Sequence, residues 1–210
     1  MGMFLSLSGI IGRNQEEVTG ALVNYTWETG GGLEPQTSGR GHKNRCVVQE
    51  ANGNTTVAYP DDFTSWDDAS AFLSKELQAP AFSLHIHDGD LWMYVLYVNG
   101  EVVDRFNPVP DYWEDNLSEA DMDSWKGNAG TVAQYVPGLD PVAIEKYLIR
   151  WGFTADPNNK AYPDDKHDDE DWQLLDFMRK IGLPYPFTED GEPSGNVYQF
   201  WTKDMPLVTK

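Results

Sequence analysis

FSLHIHDGDLWMYVLYVNGEVVDRFN, residues 82–107, holds three apolar-rich runs separated by Asp88-Gly89 and Asn99-Gly100. Asp-Gly and Asn-Gly are favoured in two-residue hairpin loops, because both turn positions need φ > 0. The stretch is therefore expected to form a three-stranded antiparallel meander.

Two-residue loops fix a register. The first pairs His87 with Asp90, His85 with Trp92 and Ser83 with Tyr94, and sets Ile86 against Leu91, Leu84 against Met93 and Phe82 against Val95. The second sets Tyr94 opposite Arg105 and Trp92 opposite Asn107. Side chains alternate across a strand, so one face is apolar and is read as core. The other gathers Ser83, His85, His87, Asp90, Trp92, Tyr94, Arg105 and Asn107. A face both aromatic and polar has the composition of a ligand or partner site. This register puts Asp104 on the core face, which requires either an exposed sheet end or a bulge in the third strand.

Working outward, residues 4–11 read as a strand. Asn14 and Glu17 have the spacing of a capping box, followed by Val18, Ala21, Leu22 and Tyr25 on one helix face. Gly30, Gly31 and Gly32 end that helix. Residues 46–49 and 55–59 read as a hairpin around Asn52-Gly53. Thr64 or Ser65 caps a helix with Trp66, Ala69, Phe72, Leu73 and Leu77 inward, stopped by Pro80.

Beyond the meander, residues 111–123 form an acidic connection. Asp140-Pro141 starts a helix carrying Ile144, Tyr147, Leu148 and Trp151. Another begins near Asp169 with Trp172, Leu175, Met178 and Ile181 on one face, and residues 197–201 read as a last strand. The segment Ala58-Tyr59-Pro60-Asp61-Asp62 recurs at 161–165, which shared helix-entry chemistry explains better than duplication.

The fold class expected is α+β: an antiparallel sheet centred on the meander, helices packed on it, and a mostly helical C-terminal half. Residues 1–110 would form the sheet domain. Residues 111–210 would form a mainly helical lobe packed on it as one globular unit.

The chain of 210 residues carries 34 acidic against 15 basic side chains, a formal charge of -19. Such a field repels nucleic acid and anionic membrane and attracts basic partners. Neither a nucleic-acid nor a membrane role is expected. Cys46 is the one cysteine, so neither an intramolecular disulfide nor a cysteine-based zinc site can form. The apolar N-terminal run lacks the basic flank and cleavage site of a signal peptide, and no run reaches membrane-span length, so a cytoplasmic location is expected.

Chemistry is sparse. His85, His87 and Asp90 could make a two-histidine, one-carboxylate set, but a His pair on a half-buried sheet face is more often hydrogen-bonded to a carboxylate and stacked on a Trp. No metal and no cofactor is expected. Cys46 has no local base, and no Gly-x-Ser-x-Gly occurs. Arg40, His42, Lys43 and Arg45 form the one basic cluster, read as answering the protein's own carboxylates. The acidic run 164–171 lacks the central glycine of a calcium loop and reads as a solvated loop with helix-capping aspartates.

Charge then ranks the functions. The first expectation is an acidic protein-binding module that captures a basic protein, as bacterial immunity proteins and nuclease inhibitors do, with Tyr112, Trp113 or Trp125 as hot spots. The alternative is an enzyme or small-ligand binder using His85, His87, Trp92, Tyr94 and Arg105. A third is a protein with no site beyond its own assembly interface, this face being covered by a second copy in a homo-oligomer or by its own C-terminal helices.

Overall fold

The computed structural model describes residues 3–36, 44–114, 116–151, 160–167 and 172–205. Eight strands form one antiparallel sheet: β1 (Leu5–Ile10), β2 (Gly32–Pro35), β3 (Arg45–Ala51), β4 (Asn54–Ala58), β5 (Ala81–His87), β6 (Leu91–Val98), β7 (Glu101–Phe106) and β8 (Asn196–Trp201). Their order is β2-β8-β3-β4-β1-β5-β6-β7. With the five described helices this is an α+β fold. No described helix is long and apolar enough to cross a membrane.

Helices α1 (Gln15–Glu28) and α2 (Trp66–Leu77) lie against one face. The α1 start follows from its sequence. Asn14 accepts from the Glu17 amide, and Glu17 reaches back to the Asn14 amide, satisfying two donors that a helix start leaves free. Val18, Leu22 and Tyr25 then pack with Ile10, Val48, Val57, Leu73 and Phe200 in the core under the helices.

The opposite face is covered by the C-terminal part of the chain. Val132, Ile144, Tyr147, Leu174 and Phe177 close over Leu7, Leu84, Ile86, Trp92, Tyr94 and Phe106. The described residues there form α3 (Glu119–Asp123), α4 (Ala129–Tyr135), α5 (Gln173–Lys180) and two 3-10 turns, joined by irregular chain. The helix expected from Asp140 is these two turns, Pro141–Ala143 and Glu145–Tyr147. Asp140 caps the first as its sequence suggests, but the turn ends after three residues. The expected inward face of α5 holds at Met178 and Ile181, both buried, but the core also takes Leu174 and Phe177, and Leu175 is only partly buried.

Polar side chains tie this irregular layer down. Asp176, buried, accepts from the amides of Lys166 and His167 and pairs with Arg179 at 3.0 Å. Arg179 also reaches Asp164 at 3.2 Å and Asp165 at 3.6 Å. Asp165 accepts the Tyr147 hydroxyl and the Tyr162 amide. Burial pushes the Asp176 carboxyl up, but the two amides and Arg179 outweigh it and leave its pKa below the usual carboxylate value.

β8 lies between β2 and β3, where it pairs with both. β2 has no counterpart in the sequence pattern, where Gly30, Gly31 and Gly32, the last of them the first residue of the strand, read only as a helix stop. A Cβ on Gly31 would sit 1.8 Å from the Trp201 carbonyl oxygen. Glycine there lets two backbones touch where β2 begins, which is the use of glycine at close approach.

Candidate functional site: the sheet face under helix α2

The turn at residues 88–89 decides what this face carries. Asp88 and Gly89 both have positive φ, 53° and 72°, and Asp90 N–H donates to the His87 carbonyl, as a tight primed turn requires. Asp90 is nevertheless an extra residue, because His87 pairs with Leu91, His85 with Met93 and Ser83 with Val95. One added residue turns every side chain of β6 to the other face. The expected register is therefore corrected by one position. Trp92 and Tyr94 point away from His85, into the core with Phe106 and Phe177. Burying two large aromatic rings in the wider core favours this register over one that buries Met93 and Val95.

The second turn behaves as expected, with Asn99 and Gly100 at positive φ and Val98 opposite Glu101. A bulge follows at Leu96/Tyr97, so Arg105 pairs with Val95 and Asp104 with Leu96. Asp104 does face the core. There it accepts the Tyr94 hydroxyl at 2.6 Å and the Asn128 amide at 3.0 Å. Burial still raises its carboxyl above the usual range, more than these donors lower it.

The structure thus brings together Ser83, His85 and His87 on β5, with Asp90 at the turn, and turns the Trp92 and Tyr94 rings into the core, Tyr94 still lining part of the cavity beside the histidines. Arg105 lies nearby, its guanidinium 4.4 Å from the Trp125 ring centroid and held by Ser124. Asn107 is buried and accepts from the Val109 amide, so it shapes the turn after β7.

His85 is nearly sealed, with 4% of its surface exposed. Its ring stacks on Trp66 from the first turn of α2, centroids 4.4 Å apart. Its Nδ1 shares a hydrogen bond of 3.0 Å with Ser6 Oγ, and its Nε2 lies 3.5 Å from His87 Nδ1. Burial first, and the adjacent His87 second, push the His85 imidazole down to about 4. It is therefore neutral at pH 7.

His87 lies at the centre of an aromatic group that the sequence did not place beside it. Phe4, Tyr112 and Trp113 approach its ring with centroids 5.0, 5.6 and 4.9 Å away. All three are exposed, at 46%, 39% and 55%. The Tyr112 hydroxyl donates to Asp90 at 2.5 Å.

Between β5, β6 and α2 lies a cavity of about 220 Å³, lined by Trp66, Asp67, His85, His87, Trp113 and Trp125 among others. Asp67 is exposed and accepts the Ser83 hydroxyl at 2.5 Å. The protein mass around its carboxyl raises its pKa more than that hydroxyl lowers it, and Asp68 adds to the rise. No periodicity argument could have found Asp67 or Trp66 here, since both belong to a helix read only for its apolar face.

The described residues hold no group of three or more His, Cys, Asp or Glu placed to bind a metal ion. Cys46 is fully buried, and burial pushes its thiol far above the usual range, so it supplies no thiolate nucleophile at neutral pH. Arg40, His42 and Lys43 of the basic cluster, and residues 168–171 of the acidic run, lie outside the described residues. A larger groove of about 740 Å³ runs beside Asn52, His167, Trp172 and Arg179, but Arg179 is committed to its three aspartates.

Comparison with known proteins returned no match: no family model fits the chain, and no curated protein and no solved structure is significantly similar to it.

Proposed function

We propose that this protein is an acidic binding module that captures a basic protein partner, in the manner of an immunity or inhibitor protein. One observation carries the reading. Phe4, Tyr112 and Trp113 are exposed around His87, on a chain of formal charge -19. Asp88 and Asp90 follow His87 in the turn, Asp111 precedes Tyr112 and Glu114 follows Trp113, and all four are exposed. Clustered exposed aromatics mark interaction surfaces, and tyrosine and tryptophan dominate binding hot spots. The surrounding carboxylates would steer a cationic partner and repel nucleic acid and acidic proteins.

The test is affinity capture from the native host at low salt, run in parallel with wild type and a Tyr112→Ala/Trp113→Ala double variant. The expected result is a basic protein retained by wild type alone, released as ionic strength rises, with hydrogen-exchange protection at residues 87–90 and 111–114. Retention of no basic protein, or equal retention by both baits, would overturn it.

The contact of Ser6, His85 and His87 favours a second reading, an enzyme or small-ligand binder acting through the same cavity. It would be supported by a small molecule from host extract that shifts the His87 ring signals and is turned over by the protein.

A further inference from the structure

The cavity under α2 has a chemistry of its own. Its indoles, Trp66, Trp113 and Trp125, are each at least partly exposed, and all line one space of about 220 Å³. That is below the 300–1,000 Å³ typical of sites for drug-sized ligands, and suits a single side chain or head group. The histidine that is sealed in its wall, His85, is uncharged at neutral pH. Asp67 supplies the negative charge, and its partner in the described structure is a neutral hydroxyl, Ser83.

We infer that this cavity receives one guanidinium group, an arginine side chain presented by the partner, between the indoles and the Asp67 carboxylate. The inference rests on the proposed capture of a basic protein and names the residue that would be captured. Indole faces attract cations through their quadrupole, and a planar guanidinium stacks on them better than an ammonium does. The molecule already contains one such pairing, Arg105 over Trp125. The start of α2 carries a partial positive charge of roughly half a unit, which the Asp67 carboxylate outweighs. Asp67 and Asp68 both sit in that first turn.

The test titrates the full chain with N-acetyl-arginine amide, and separately with the matching lysine and citrulline compounds, following indole and imidazole signals by NMR. Arginine should give saturable shifts at Trp66, Trp113 and His87, lysine weaker ones, and citrulline none, because citrulline keeps the shape and loses the charge. Asp67→Asn should weaken arginine binding by roughly two- to fivefold, the scale of one exposed charge pair. Trp113→Ala, at an exposed position, should weaken it as well without unfolding the protein.

Equal response to citrulline, or none to arginine, overturns the inference. If a basic protein is still captured in that case, the capture reading stands and only the cavity's role falls. If arginine binds as described while no basic protein is retained, the cavity assignment stands for a free guanidinium compound and the capture reading falls.

Discussion

The His85 imidazole lies flat on the Trp66 indole, with ring centroids 4.4 Å apart and planes inclined by 11°. The contact joins β5 to the first turn of α2 and shields the ring from water. Trp66→Ala should raise the His85 pKa from about 4 by roughly one unit or more toward its free value. NMR titration of the His85 ring protons reads this directly. An unchanged value would mean that the rest of α2 and β1 does the shielding.

His85 also makes stability depend on pH. Its unfolded pKa is 6.5 and its folded one about 4. Above pH 6.5 both states hold the neutral ring and it contributes nothing. From pH 6.5 down to 4 the unfolded chain takes a proton that the folded state refuses. Stability therefore falls on acidification, by something on the order of 3 kcal/mol in full. Asp67 and Asp104, whose carboxyls are raised in the fold, act in the opposite sense. Urea unfolding of wild type and His85→Gln at pH 7, 5.5 and 4.5 isolates the histidine. The variant should lose less stability over that range, whatever its offset at pH 7.

Arg179 is the cation for two buried carboxylates, Asp165 and Asp176. Arg179→Met should cost about 1–3 kcal/mol near neutral pH, because it leaves two buried carboxylates without their guanidinium, whose own side chain is 35% exposed and so partly screened. The Asp176 carboxyl is depressed in the fold from 3.8, so its stabilisation is present above pH ~4 and is lost as pH falls through the folded value. The deficit of the variant should accordingly shrink below pH ~4. Denaturant midpoints at pH 7 and pH 3.5 give both numbers.

Two glycines should respond oppositely to alanine. A Cβ at Gly31 meets backbone, with the Trp201 oxygen 1.8 Å away, whereas at Gly20 it meets nothing within 4 Å. Gly31→Ala should separate β2 from β8 and destabilise the fold by more than ~3 kcal/mol, in the class of forced overpacking. Gly20→Ala, inside α1, should stabilise it by about 0.5–1 kcal/mol through helix propensity. Thermal melts of the two variants beside wild type decide both.

Much of the fold follows from local rules that the sequence states outright. Positive-φ turns at Asn52-Gly53, Asp88-Gly89 and Asn99-Gly100 and the Asn14–Glu17 cap each depend on residues a few positions apart. The Ala-Tyr-Pro-Asp-Asp echo shows the limit of such rules. Tyr59 is buried against Ser8, while Tyr162 bonds Val142 and Lys146, so identical words serve different surroundings.

For the candidate site, the sequence by itself determined that β5 carries His85 and His87 on one face, because a strand alternates strictly. It did not determine what faces them. A single extra residue at Asp90 reverses β6 at no local energetic signal, and the choice is made by the core that Phe106, Phe177 and Tyr147 build around Trp92 and Tyr94. Only tertiary packing brings Trp66, Asp67, Tyr112 and Trp113 to the two histidines. They come from a helix and a loop whose approach depends on burial over the whole sheet, which no local pattern encodes.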